Sequence, residues 1–204
     1  MILAIDTTSD ACSVALIDGD IVVSEQHETV GRGHAEKLVP MIADLLDGGR
    51  ADEILVDCGP GSFTGLRVGL ATARALGLGW QAEVHGYSSL ALMAAMAFSD
   101  ADTPDTVAVT ILGGHGEMFV QRFGKTVFRE IGPLASLAPE AAIAEIEEDM
   151  LVGDAAAALV ALSGSGKALN IQPRAACTAM LPPTFKTLPP RPIYGRAPDA
   201  RPPQ

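Results

Sequence analysis

The residues best suited to chemistry lie in a glycine-rich segment that follows a short apolar run. The segment Gly59-Pro60-Gly61-Ser62-Phe63-Thr64-Gly65 comes directly after Ile54-Leu55-Val56 and leads into helix-like sequence that ends near Trp80. Glycine lets a backbone approach a neighbouring group closely, and a Ser or Thr caps the helix that follows, here Ser62 or Thr64. A strand, such a loop and a helix N-terminus are together suited to holding an anion. The segment therefore predicts an anion site that includes Gly61 and Ser62.

Two residues beside this segment carry reactive or charged groups. Arg67 lies in the first turn of the predicted helix, where the helix dipole disfavours a cation, so an anion is expected next to it. An internal carboxylate, Asp6 or Asp57, is the favoured partner, and a phosphate or another subunit's carboxylate is the alternative. Cys58 has no basic residue near it in sequence, which predicts a buried structural thiol rather than a nucleophile.

The overall charge limits the partners of the chain. Its net charge is −11 and its isoelectric point is about 4.6. Nucleic-acid binding depends on neutralising phosphates with Lys and Arg, so a chain this acidic is predicted to meet RNA only through another subunit. No apolar run reaches the ~18 residues of a membrane helix, and no signal peptide precedes Asp6, which predicts a cytoplasmic protein without membrane contact. The three cysteines are scattered, which is typical of a reducing compartment.

The apolar and turn patterns predict the order βββαβαβα over the first hundred residues. The predicted elements are strands at 2–6, 11–17 and 21–25, a helix at 34–46, a strand at 53–57, a helix at 65–79, a strand at 83–85 and a helix at 88–97. After a linker at 100–104 the order begins again, with strands at 106–112, 117–123 and 126–130, a helix at 139–148, a strand at 150–152 and a helix at 154–162. This pattern predicts a duplicated α/β fold with domains 1–102 and 103–204.

Proline is concentrated at the end of the second domain. Eight of the fourteen prolines lie between Pro182 and Pro203. Such a tail cannot be regular helix, and it is expected to be either extended along the body of the protein or disordered.

The predicted helix at 65–79 is apolar or small on nearly every side. Leucines and a valine alternate with glycines and alanines, so one sheet cannot cover all of it. The small-residue side allows another helix to approach closely. The two interpretations are a neighbouring helix of the same lobe and a docking subunit.

Several of these segments resemble one protein family. They are Leu3–Thr8 with Ser13–Leu16, His34-Ala35-Glu36 with Leu38 and Pro40, the whole of Gly59–Gly69, Ser88-Ser89-Leu90, and Pro192–Arg196. Together they are similar to the TsaB (YeaZ) family, the smaller bacterial relatives of the TsaD-like, or glycoprotease-like, proteins. The glycine loop is the most specific of these motifs. The resemblance covers residues 1–100 and returns near Tyr194.

The resemblance implies a two-lobed actin-like ATPase fold of the ribonuclease H-like kind, with a mixed five-stranded sheet in each lobe. It also implies a part in making threonylcarbamoyladenosine next to the anticodon of tRNA. In that system a TsaD-like protein is the catalyst, a TsaE-like ATPase joins it, and the TsaB-like protein is a non-catalytic scaffold that meets tRNA only through the complex. A free-standing actin-like ATPase or kinase is the alternative hypothesis, and a metalloprotease is a more distant one. The sequence leaves open whether the isolated chain is a monomer or a homodimer.

For a nucleotide, the resemblance points to the turn Asp6-Thr7-Thr8-Ser9, where actin-like ATPases approach phosphates. The structural alternative is a turn whose side chains bond their own backbone. The matching turn of the second lobe, 112–116, has no carboxylate for Mg²⁺ and departs from the family pattern there. The chain is therefore expected to have no intrinsic cofactor and only a vestigial phosphate site, formed by Asp6, Thr7, Thr8, Gly61 and Ser62.

For a metal and for partners, the resemblance points to the first-lobe helices. Catalytic relatives bind a metal through two histidines at positions i and i+4, whereas here His34 is followed by Leu38, so no metal site is expected. His34 is instead expected at a helix end or an interface. Contact with the catalytic subunit is expected on these helices, through His34, Leu38, Met41, Arg67, Leu70, Ala71, Arg74 and Ala75.

Overall fold

The computed structural model describes residues 1–195, which form two β-sheets and their helices. The first half contains β1 (Ile2–Asp6), β2 (Ala11–Asp18), β3 (Ile21–Thr29), α1 (His34–Leu46), β4 (Glu53–Asp57), α2 (Phe63–Trp80), β5 (Glu83–Tyr87) and α3 (Ser89–Phe98). The second half contains β6 (Thr106–Leu112), β7 (Met118–Gly124), β8 (Arg129–Glu130), β9 (Ala135–Leu137), α4 (Pro139–Glu145), β10 (Met150–Val152), α5 (Ala156–Ser163) and β11 (Lys167–Leu169). Short 3₁₀ helices lie at Gly114–Gly116, Ala175–Met180 and Pro183–Phe185.

The first sheet places two acidic strand ends next to each other. Its strand order is β3-β2-β1-β4-β5, with β1, β2 and β3 antiparallel and with β4 and β5 parallel to β1. The apolar run of β1 is covered on both faces, as expected for a central strand. Leu3 and Ile5 lie in the core shared with α1 and α2, whereas Ala4 packs with Ala175. Because β1 and β4 run parallel, their last residues, Asp6 and Asp57, lie side by side.

The helices of the first half follow the predicted patterns. Helix α1 has the predicted range, and on its inner side Leu38 is fully covered and Met41 and Ile42 almost so. Ser62, rather than Thr64, caps α2, because its Oγ accepts a hydrogen bond of 3.3 Å from the Gly65 N–H.

The second sheet departs from the prediction at its edges. Its order is β11-β10-β6-β7-β8, with β9 also paired to β7, so it has six strands rather than five. The strand expected at 126–130 is only Arg129–Glu130, and the helix expected through 148 ends at Glu145. Beyond that end, the buried Glu148 carboxylate accepts hydrogen bonds of 2.7 and 2.9 Å from Arg122 Nε. The strands β9 and β11 were not predicted, because they are three-residue edge strands without a periodic apolar pattern.

Helix α3 lies between the two sheets. Nearly all of it is buried, in a cluster that joins Leu55 and Tyr87 of the first sheet to Val107 and Val109 of the second. Conversely, the 3₁₀ helix Ala175–Met180 packs on the first sheet. The division at residues 102 and 103 therefore stays a prediction.

The proline-rich tail is extended along the body of the protein as far as Gly195. Leu188 pairs with Gly86 at the edge of β5 through backbone hydrogen bonds of 2.7 and 3.0 Å. Farther along, the Ile193 N–H donates to the Cys58 carbonyl over 2.8 Å. Residues 196–204, including the Arg196 of the family motif, lie outside the described part. Among residues 1–195, no helix has the length and apolar character needed to cross a bilayer.

Candidate functional site

The predicted site residues meet where the β1–β2 turn packs on the glycine loop, residues 59–65. The Ser62 N–H donates to the Thr8 carbonyl over 2.7 Å, and the Thr7 hydroxyl donates to the Gly65 carbonyl over 2.7 Å. The structure therefore brings the backbones of Asp6, Thr7, Thr8, Gly61 and Ser62 together, whereas their role as a phosphate site stays a prediction.

The glycines serve a contact inside the chain. A Cβ on Gly61 would overlap the Thr8 carbonyl, and a Cβ on Gly65 would overlap the Thr7 carbonyl. One turn farther along α2, a Cβ on Gly69 would overlap the Thr7 hydroxyl. The close backbone approach expected from the loop is therefore explained by the chain's own turn.

The carboxyl groups of Asp6 and Asp57 lie beneath this contact and are buried. Asp6 accepts from the Tyr87 hydroxyl over 3.0 Å and from the Thr8 N–H over 3.4 Å. Asp57 accepts from the Gly59 N–H over 2.8 Å and from the Thr8 hydroxyl. Burial raises the pKa of Asp6 to about 6. Burial and the neighbouring Asp6 carboxyl raise the pKa of Asp57 well above its ordinary value.

A cleft of about 290 Å³ opens above the turn, between the two halves of the chain. Its polar lining includes Thr8, Gly61 and Ser62, but neither Asp6 nor Thr7. Only three of the five residues of the predicted phosphate site therefore line the cleft, because the Asp6 and Thr7 side chains turn inward.

The second half does supply a carboxylate to this cleft, contrary to the prediction from 112–116. Asp154 follows β10, and its Oδ1 accepts from the Leu112 N–H over 2.8 Å. The pKa of Asp154 is raised, and desolvation in the cleft is the main cause. The charge of Asp10, which also lines the cleft, raises it further. The described lining residues include these two carboxylates and no Lys or Arg. Sequence reasoning missed Asp154 because it lies about forty residues beyond the turn it joins.

His34 connects the start of α1 to the β1–β2 turn. It is 2% exposed, and its Nε2 lies 3.0 Å from the Ser9 carbonyl oxygen and 3.2 Å from that of Ala11. Both atoms are acceptors, so Nε2 carries a proton and donates it. His34 is thus a helix-end residue, and its expected place on an interface is wrong.

We expect the purified chain to hold no stoichiometric zinc or iron, because the His34 Nε2 is committed to two carbonyls. Within residues 1–195 no three His, Cys, Asp or Glu side chains are grouped as a metal site requires. Elemental analysis tests this expectation. Roughly one tightly held metal per chain, lost on His34→Ala, would contradict it.

The anion expected beside Arg67 is not an internal carboxylate. Its guanidinium carbon lies 3.4 Å from the centre of the Phe63 ring, a cation–π contact on the surface of α2. Within the described residues Arg67 forms no ion pair, so the favoured pairing with Asp6 or Asp57 is wrong. The Arg67 charge faces outward.

Four of the eight expected interface residues are on the surface and four are not. Leu38, Met41 and Leu70 are buried in the core, as is His34, so for these the expectation is wrong. Exposed together along one side of α2, and called here the α2 face, are Phe63, Arg67, Ala71, Arg74, Ala75 and Leu78. Phe63 is 57% and Leu78 is 84% exposed. Both were missed because sequence alone does not tell which side of an all-apolar helix faces the sheet.

Cys58 is a structural thiol, as predicted. It is fully buried, and burial raises its pKa to about 12. A Cβ on Gly86 would overlap its sulfur, and the tail covers it through Pro189.

A family model and several known proteins match this chain in sequence. Residues 21–181 match the family model "TsaD: tRNA N6-adenosine threonylcarbamoyltransferase". The tRNA threonylcarbamoyladenosine biosynthesis protein TsaB of Escherichia coli is 40% identical over 98 residues, which are 46% of this chain and 42% of that protein. TsaB of Haemophilus influenzae is 32% identical over 164 residues, 72% of this chain and 68% of that one. The chain thus spans less than half of the Escherichia coli relative.

Among solved structures, an uncharacterized protein described as similar to peptidase YeaZ from Pseudomonas aeruginosa superposes with a TM-score of 0.78. It is 27% identical, and the match covers 96% of this chain and 99% of that one. The two-sheet, actin-like α/β fold class expected from the sequence is confirmed.

Proposed function

We propose that this chain, which belongs to the TsaD family by its match over residues 21–181, is a non-catalytic subunit in the synthesis of threonylcarbamoyladenosine on tRNA. The family expected from the glycine loop is confirmed. In this proposal a TsaD-like partner transfers the threonylcarbamoyl group, a TsaE-like ATPase joins them in the cytoplasm, and tRNA is held by the complex. The Escherichia coli and Haemophilus influenzae relatives are named as tRNA threonylcarbamoyladenosine biosynthesis proteins, which supports a role in the same pathway.

The negative charge of the cleft is the observation that supports a non-catalytic role. A site that binds a nucleoside triphosphate needs cations or backbone N–H groups that point at the phosphates. The described lining carries Asp10 and Asp154 without Lys or Arg. Asp6, whose counterpart in an actin-like ATPase lies near the phosphates, is turned into the core. Weak nucleotide binding through Thr8, Gly61 and Ser62 stays part of the proposal.

The alternative is a free-standing actin-like ATPase or kinase. Asp10 and Asp154 favour it, because carboxylates from two sides of a cleft are the ligands that Mg²⁺ prefers. The two hypotheses differ in whether these carboxylates support turnover.

We expect no measurable ATP turnover by the chain alone, since the two carboxylates repel the phosphates. The measurement is steady-state phosphate release with ATP and Mg²⁺. Turnover of ~1 s⁻¹ or more, in the ordinary enzyme range, would contradict the proposal if Asp154→Asn abolished it. Asp44→Asn, which removes an exposed carboxylate of α1, is the matched control.

The α2 face is the proposed docking surface for the TsaD-like partner. It is apolar at both ends, small in the middle and carries two arginines on a chain of net charge −11. A partner surface with apolar side chains and carboxylates complements it. The other interpretation, coverage by a neighbouring helix of the same lobe, is wrong for Ala71 and Ala75, which are exposed.

A further inference from the structure

We propose that Asp6 and Asp57 share one proton and act as a pH-dependent clasp between the β1–β2 turn and the glycine loop. The clasp belongs to the fold of this chain and is independent of the proposed function. The two acidic side chains are buried and belong neither to the lining of the cleft nor to the α2 face.

The geometry places the two carboxyl groups in one enclosed site. Asp6 and Asp57 end two adjacent parallel strands and are 0% and 1% exposed, and each carboxyl influences the pKa of the other. Thr8 joins them, because its N–H donates to Asp6 and its hydroxyl donates to Asp57. The Gly59 N–H adds the glycine loop to the same network.

The groups around the pair do not neutralise it. Tyr87 of β5 donates its hydroxyl to Asp6, and His34 of α1 is the nearest group that can carry a positive charge. The thiols of Cys12 and Cys58 are neutral, because burial raises the pKa of each. Helix α2 places no charged side chain beside the pair, since Arg67 and Arg74 lie on the exposed side of that helix. Within residues 1–195 neither carboxyl forms an ion pair with Lys or Arg.

Two adjacent buried carboxylates without a cation cannot both be ionised at moderate cost, so one proton stays between them. Each carboxyl accepts from one backbone N–H and from one hydroxyl, so the donors do not single out either group and the proton lies between the two. When Asp57 holds it, its carboxyl donates to Asp6, and the Thr8 hydroxyl and the Gly59 N–H hold Asp57 in place.

The clasp has a defined dependence on pH. Both carboxyls have folded-state pKa values above the unfolded value near 3.8. Their stabilising contribution is therefore complete below about pH 4 and is lost as the pH rises through 6 and beyond. The turn and the glycine loop should loosen only when the second proton is also lost, because Thr8 and Gly59 are bonded to the two groups.

The test compares the pH dependence of the melting temperature of the wild type, Asp57→Asn and Asp44→Asn. The Asp57→Asn side chain reproduces the protonated carboxyl, since its amide can donate to Asp6 and its carbonyl can accept from Gly59. We expect the Asp57→Asn melting temperature to approach the wild-type value near pH 4 and to exceed it by several degrees at pH 8. Asp44→Asn makes the same change in net charge at an exposed site and should follow the wild-type curve.

Parallel curves for the wild type and Asp57→Asn would overturn the proposal. If Asp57→Asn does not fold, ¹³C NMR of aspartate carboxyls in the wild type decides the question. A carboxyl that stays protonated above pH 7 supports the clasp. Titration of every aspartate below pH 5 contradicts it.

Discussion

If the proposed function is right, replacing Ala71 with Arg should abolish co-elution of the chain with the proposed TsaD-like partner, and with it threonylcarbamoyl transfer to tRNA. Ala71 lies in the middle of the α2 face, where a single methyl group lets a partner backbone come close. The long Arg side chain holds two packed surfaces apart, which outweighs any attraction of its charge to the carboxylates of the partner. We expect at least a ~100-fold loss of affinity, about 2.8 kcal/mol, measured by calorimetric titration with the purified partner.

Two further variants make this result specific. Ala75→Arg tests the next turn of the same face and should behave alike. Ala157→Arg places the same side chain on the exposed side of α5 and should leave binding unchanged. All three alanines are exposed, so circular dichroism and the melting temperature should stay close to wild type. Wild-type affinity in both folded α2 variants would locate docking on another surface, and failure of both to fold would contradict the exposure of these alanines.

The second large effect is expected for Gly65→Ala, which should destabilise the fold by about 3 kcal/mol. Its Cβ would overlap the Thr7 carbonyl oxygen, and two backbone segments must separate to admit it. For a chain of this length the melting temperature should fall by roughly 6–12 °C. Gly79→Ala, in the same helix with open space around its Cβ position, is the matched control and should stabilise by up to ~1 kcal/mol.

Two further variants distinguish an overlap with a backbone atom from an overlap with a side chain. Gly69→Ala would meet the Thr7 hydroxyl, so adding Thr7→Ala should recover part of the lost stability. The same Thr7→Ala change should not rescue Gly65→Ala, whose obstacle is a carbonyl. Equal melting temperatures for Gly65→Ala and Gly79→Ala would contradict the close contact between α2 and the β1–β2 turn.

Features that depend on residues close together in the chain could be predicted from the sequence. The strand β1, the helix α1 and the glycine loop that starts α2 were all predicted correctly. Each rests on hydrophobic period, helix capping or glycine geometry, which act over a few residues. The glycine-loop motif also identified the family. The short edge strands β9 and β11 were missed, because three residues carry no measurable period.

The contacts between these local features were visible only in the folded chain. The tertiary structure placed the β1–β2 turn against Gly61 and Gly65, joined Thr8 to Asp57 across 49 residues, and brought Asp154 to the cleft beside Asp10. It also turned Arg67 outward onto Phe63 and buried His34 against Ser9. Such contacts depend on the free energy that two distant segments gain by packing together. They also depend on the entropy lost when the long chain between them closes. A residue's type and its immediate neighbours do not contain that information.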